Sequence, residues 1–329
     1  MNKSPRSMGA LMLAVLAASC GGSSSTTPVA PTTTTMASTF VGTVKNIVTG
    51  TSVRGATVTI GTTSATTGID GTYSLEVTAS GQPSFSVSAT GYYTRKSAVS
   101  MTGSTTINPE IIPQGDGFDL AFFDHSFRDG SKGTTRWLTT PSFEIWTQIV
   151  RCIGDCSRYE VTATTVPTYF ETRAREAIAL ASDLTGGRVV SPAITTKTHA
   201  VGNTVYLNPD GSGPIVFLYA DKFDNASEGG RASGFPGGTG IPFTGGRASF
   251  NQSHESPTRD NSIYIHEIAH LLGFIPGHTA NLNLVPGPSI MGPDPVIVTD
   301  KDRLHAKILY KRPVGNVSPD TDPSGTTIN

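Results

Sequence analysis

Ile263-Tyr-Ile-His-Glu-Ile-Ala-His-Leu-Leu-Gly273 is the stretch around which the 329-residue chain is best read. Ile265, Ile268, Ala269 and Leu272 recur at helical spacing, so one side of this segment can bury in a core. Asp260 or Asn261 can cap the start of the helix, and Gly273 can end it by turning left-handed. His266 and His270 stand four residues apart, one turn from each other on one face. That spacing lets two imidazoles converge on one tetrahedral ion. Glu267 projects beside such an ion rather than onto it, where a carboxylate can take a proton from water. The pattern points to zinc (Zn2+) as cofactor and to hydrolysis, with Glu267 as general base. Catalytic zinc usually takes three protein ligands and keeps one position open. In Gly273-Phe-Ile-Pro-Gly-His278 a histidine follows a sharp turn, so His278 is expected as the third ligand. His254, Asp294 or a two-histidine site are the alternatives.

Outward from the motif, Pro288-Ser-Ile-Met-Gly-Pro293 reads as a tight turn carrying Met291. Thr299-Asp-Lys-Asp302 opens a further helix with Leu304, Ile308 and Leu309 as its apolar stripe. Upstream, Phe143, Ile145 and Ile149 alternate in a strand. Thr168-Tyr-Phe-Glu171 reads as a capping box for a helix whose face is Phe170, Ala177, Ile178, Ala181 and Leu184. Ile215–Tyr219 reads as a buried strand and Ala248–Phe250 as a short one. Residues 113–315 therefore form a mixed domain of strands and helices, with an extended substrate expected along a strand edge near Ala248–Phe250.

Residues 39–112 read differently. Ala56, Val58 and Ile60 alternate with polar residues, as do Tyr73, Leu75 and Val77, then Phe85, Val87 and Ala89, with glycine turns between. Period two at this spacing predicts a small all-β sandwich. No constellation of His, Cys or paired carboxylates stands in it. Residues 21–38 are Gly, Ser, Thr and Pro, a flexible linker, and residues 316–329 are expected as a disordered tail.

Two resemblances follow from these residues. The helix motif with its glycine resembles the metzincin metallopeptidases, whose pattern is His-Glu-x-x-His-x-x-Gly-x-x-His. The family's last histidine falls at Pro276 here, so His278 implies a longer loop. Met291 takes the place of the methionine that this family puts in a turn beneath the metal. The likeness is good over 255–313 and only architectural over 113–254. Gly42-Thr-Val, Gly55–Ile60, Thr67–Leu75 and Ala89–Tyr92 are similar to the carboxypeptidase regulatory-like (transthyretin-like) module. The fold class implied is multidomain, an all-β sandwich followed by an α+β metzincin-like domain. The activity implied is a zinc endopeptidase with a protein or peptide substrate.

Composition bounds the partners. The net charge of -1 and the absence of a basic stripe give no reason to expect a nucleic-acid partner. Lys3 and Arg6 precede a short apolar run, Leu11–Ala18, too short for a membrane span. It ends in Ala17-Ala18-Ser19-Cys20, which resembles a bacterial lipobox. Residues 1–20 are thus expected as a lipoprotein signal with lipid on Cys20, holding a monomer at the cell envelope (outer membrane or surface), or else secreted. Cys152 and Cys156 flank the turn-prone Gly154-Asp155 and are expected as a disulfide in an oxidising compartment. Two other functions stay open: a catalytically inactive binding or adhesion lipoprotein, and a zinc hydrolase of non-peptide substrates.

Overall fold

Alternating apolar residues near the N-terminus become paired strands because each strand has only one face to bury. The computed structural model describes residues 35–128, 132–154, 156, 158–206, 212–221, 223, 225–237, 240–275, 289–292 and 297–328. The signal and lipobox residues, including Cys20, lie outside them. The first sheet has the order β5-β1-β8: β1 is Met36–Thr43, β5 Thr72–Ala79 and β8 Thr105–Thr106. The second has the order β4-β3-β6-β7: β3 is Thr57–Ile60, β4 Thr63–Thr66, β6 Ser84–Ser88 and β7 Arg95–Ala98. A short pair, β2 (Lys45–Asn46) with β9 (Glu110–Ile111), completes the module. Phe40 and Leu75 from one sheet share a core with Val58, Ile60, Phe85 and Val87 from the other. Strand β1 begins at Met36, inside the segment expected as linker to residue 38. Ser38 is buried there and pairs with Val77, so the linker reading is corrected at that end.

The second module is built on a seven-stranded mixed sheet of order β13-β11-β10-β14-β16-β15, with β12 also on β10. Its strands are β10 (Phe143–Ile153), β11 (Arg158–Thr165), β12 (Ile194–Lys197), β13 (Thr204–Tyr206), β14 (Ile215–Ala220), β15 (Gly230–Phe235) and β16 (Gly245–Asn251). Strand β14 is buried along its whole length, as expected of a parallel strand between two parallel neighbours, β10 and β16. Cys152 and Cys156, in the β10–β11 turn, are joined by a disulfide with a Cα–Cα distance of 4.8 Å. The helices are α1 (Leu120–Phe127), α2 (Thr168–Ala179), α3 (Ser262–Leu271) and α4 (Asp300–Tyr310). The capping box expected at Thr168 is corrected: Thr168 is already helical, Pro167 is the cap residue, and Glu171 pairs with Arg175 at 2.7 Å. The capping box is instead on α4, where Thr299 and Asp302 bond reciprocally.

The tail reading is also corrected. Asn316 and Asp320 are fully buried, and Thr321 and Thr327 bridge to Lys96 and Ala98 on the edge of β7. Asp320 pairs with Arg312 at 2.7 Å and Asp322 with Arg95 at 3.2 Å. Polar composition marks disorder only when the polar groups have water as their best partner; here they neutralise buried arginines. This segment ties β7 of the sandwich to the end of α4. Ile47 and Ile112 of the sandwich also enter the core of the second module beside Phe118 and Phe122. Residues 35–329 accordingly form one compact unit. The chain is β-rich, with several sheets and few helices, and these elements do not by themselves show an α+β metzincin domain. Among the described residues no helix is long and apolar enough to cross a membrane.

Candidate metal centre

Helix α3 is held at both ends by groups outside it. At its start, Asn261 is the cap residue without a side-chain cap bond, while Asp260 accepts the Ser262 N–H at 3.0 Å. At its end, Trp137 Nε1 donates to the Leu271 carbonyl at 2.7 Å and the Tyr310 hydroxyl to that of Leu272 at 3.0 Å. Those carbonyls have no partner within the helix, so the two side chains satisfy them. Gly273 then turns the chain at φ 114°. A Cβ there would lie 2.7 Å from Leu309 Cδ2 and 2.9 Å from the Thr135 carbonyl oxygen, so only glycine fits. Ile268, Ala269 and Leu272 are buried, and the Tyr264 ring stacks on Phe250 of β16 at 3.8 Å.

That turn orients the histidines. The Phe274 carbonyl accepts from His270 Nδ1 at 2.8 Å, and the Ile290 carbonyl accepts from His266 Nδ1 at 2.8 Å. A carbonyl oxygen can only accept, so Nδ1 carries a proton in both rings, and in the neutral imidazole Nε2 then carries the lone pair. This is the tautomer that binds a metal through Nε2, with the backbone carbonyl fixing the ring. The ring centroids lie 4.8 Å apart at 88°.

The Ile290 carbonyl is itself held. Ser289–Gly292 closes a turn, with the Gly292 N–H on the Ser289 carbonyl at 3.1 Å. The Asp302 carboxylate, fully buried, accepts from Ser289 Oγ at 2.7 Å and from the Ile290 N–H at 3.3 Å. It also accepts from Thr299 N and Oγ1 at 2.8 and 2.7 Å. A first-turn residue of α4, bonded to its Thr299 cap, thereby positions an imidazole of α3. Met291 follows in the same turn and packs partly buried against the core.

Glu267 is 3 % exposed and points at the edge strand β15. Its carboxylate accepts the Ala232 N–H, and Oε2 has no hydrogen-bond partner. A Cβ on Gly230 would come within 2.9 Å of Glu267 Oε1, so that glycine makes room for the carboxylate. Burial, with the Glu228 charge adding to it, pushes the Glu267 carboxyl up to about 8. His266 and Glu267 line a cleft of about 590 Å³, opposite Glu228, Gly229 and Gly230, with Arg259 and Gly292 also on its wall.

Among the residues named from sequence, His266, Glu267 and His270 thus come together, with Met291 in the turn that holds His266. His278 and Asp294 lie outside the described residues. His254 is directed elsewhere: its Nε2 is 2.5 Å from the Ala226 carbonyl oxygen. Strand β16 lies between β14 and β15, so its backbone is already paired and the substrate edge expected there is corrected. The outer strand beside α3 is β15. Sequence reasoning missed Asp302 as a positioning group, since its pattern announces only a helix cap. It also missed Gly230, whose only sign was the Gly229-Gly230 pair.

No family model matches the chain, and no curated protein matches it. Among the solved structures that are similar in part, two serve as examples. One is a protein of unknown function from Bacteroides fragilis NCTC 9343, thought to be membrane-associated. It is 24% identical over 24% of this chain and 28% of that one, with a TM-score of 0.21. The other is a type II cohesin–X-dockerin complex from Acetivibrio cellulolyticus, 21% identical over 29% of this chain and 76% of that one, with a TM-score of 0.20. At those scores neither likeness bears on fold or function. Among the described residues no group of three or more His, Cys, Asp or Glu is placed to hold one ion. The metzincin and carboxypeptidase regulatory-like resemblances are therefore withdrawn: motif spacing was matched, but neither a family model nor a complete ligand set accompanies it.

Proposed function

We propose that this protein is a zinc-dependent hydrolase of peptide bonds, on the strength of α3 alone. One observation carries the reading: two imidazoles one helical turn apart, each with Nδ1–H given to a backbone carbonyl, so that both lone pairs are on Nε2. His266 and His270 would hold the ion, with a further donor from residues outside those described, His278 being the candidate. When bound, zinc supplies Lewis acidity that makes a water more acidic and a carbonyl more electrophilic. Glu267 accepts the water proton as the oxygen bonds to the substrate carbonyl carbon. It then returns that proton to the amide nitrogen as the C–N bond breaks, leaving a carboxylic acid and an amine. Ala232 N–H orients the carboxylate for both transfers. The substrate runs along the outer side of β15, where Gly229 and Gly230 keep the cleft open. Residues 1–20 suggest export and a lipid on Cys20, which would place the activity at the cell envelope.

Casein digestion by the purified ectodomain tests the reading. Cleavage that stops with chelator, returns with zinc and is absent from Glu267→Gln is the expected result. Zinc-independent cleavage, or no cleavage of any protein or peptide, overturns it; the latter with zinc still bound points to a binding protein.

A further inference from the structure

Arg259 lines the cleft from the loop that leads into α3. This loop is wrapped around a buried cation. Arg173 of α2 pairs with Glu255 at 2.7 Å, donates to the carbonyls of Ser256 at 2.9 Å and Pro257 at 3.3 Å, and bonds the Arg259 carbonyl. Tyr264 of α3 completes the knot by donating to Glu255 at 3.2 Å. The backbone from which the Arg259 side chain leaves is therefore fixed. The side chain is fixed too, because Nη1 donates to the His254 carbonyl at 2.6 Å.

Among the described residues no carboxylate lies within ion-pair distance of Arg259, and the residue is exposed. The carboxylates of Glu255 and Asp260 feel its charge, but each is hydrogen-bonded elsewhere: Glu255 to Arg173, and Asp260 to the Ser262 N–H and hydroxyl. The contrast inside the same region is Arg231, which is closed onto Glu228 at 2.5 Å. Among the described residues lining the cleft, Arg259 is the cation left facing solvent. Guanidinium forks select carboxylates through paired, charge-assisted hydrogen bonds.

Resting on the hydrolase reading above, we propose that Arg259 is a specificity residue that selects an acidic side chain of the substrate. From Ser262 to His266 is one helical turn, about 5.4 Å, and an extended peptide advances about 3.3 Å per residue. Arg259 lies beyond Ser262, so the acidic residue it meets is about two to four positions from the bond that breaks.

The test is a set of matched peptides in which Asp is exchanged for Asn, one position at a time. Wild type should prefer Asp about tenfold in kcat/KM at one position. Arg259→Gln should bring that ratio to one, and Arg259→Glu should invert it toward Asn. The same peptides are also titrated calorimetrically onto zinc-loaded Glu267→Gln, with and without Arg259→Gln. If no peptide is cleaved, the hydrolase reading falls, and the binding arm still decides: an Asp-over-Asn preference that needs Arg259 supports the proposal. A preference that survives Arg259→Gln, or none in either arm, overturns it.

Discussion

Helices α3 and α4 both carry histidines with Nδ1 on a carbonyl oxygen, and the two helices set those rings in different surroundings. On α4, His305 is fully buried; Nδ1 is 2.7 Å from the Lys301 carbonyl, and Nε2 accepts the Asp119 N–H at 2.9 Å. Its ring stacks on Phe118 and meets Phe122 edge-on. Both nitrogens are satisfied inside the fold, so His305 is a structural joint between α1 and α4. On α3 the proton is fixed in the same way, but His266 opens on a cleft beside a buried carboxylate. A histidine's role is set by what stands opposite its lone pair.

Four changes sharpen or break that contrast. The largest effect belongs to Glu267→Gln, which should lower turnover about a thousandfold while zinc content stays unchanged. Peptide assays paired with metal analysis read both quantities; equal turnover would remove Glu267 from the chemistry. Next is Asp302→Ala, which strips four hydrogen bonds from one buried point. It should cost about 3 kcal/mol of stability by urea unfolding, and weaken zinc binding about tenfold as the Ile290 carbonyl loosens. A stability loss with unaltered zinc affinity would show that Asp302 supports α4 and not His266. Asp322→Ala breaks a buried ion pair in the C-terminal clasp and should destabilise by about 3 kcal/mol with zinc affinity intact.

The smallest effect is a pH dependence on α4. Burial, the largest influence, pushes His305 below the ordinary histidine value of 6.5. The unfolded chain therefore binds a proton first as pH falls. The stability that neutral His305 contributes is complete above pH 6.5 and is lost as pH drops through the lower folded value. Urea midpoints measured at pH 7 and pH 5 should fall further apart in wild type than in His305→Gln. Equal slopes in the two proteins would mean the ring is not held neutral.

Much of the scaffold was legible in local pattern. The alternation at Ala56–Ile60 and Tyr73–Val77 needs no distant information to specify a half-buried strand, and the α3 motif spaces its own histidines. The carbonyls that orient those histidines were not legible, because every residue has one and only folding selects Phe274 and Ile290. The substrate edge was misplaced for a similar reason. Ala248–Phe250 has the composition of a strand, but whether a strand is inner or outer depends on β15 pairing beside it. The tail failed on composition: Asp320 and Asp322 look solvated until Arg312 and Arg95 are placed next to them.

The central claim is most directly tested by the metal content of dialysed protein, measured by mass spectrometry for wild type and for the double variant His266→Ala/His270→Ala. The account predicts one tightly held zinc per wild-type chain and none in the variant. Zinc absent from wild type after reconstitution, or retained when both imidazoles are gone, would contradict it.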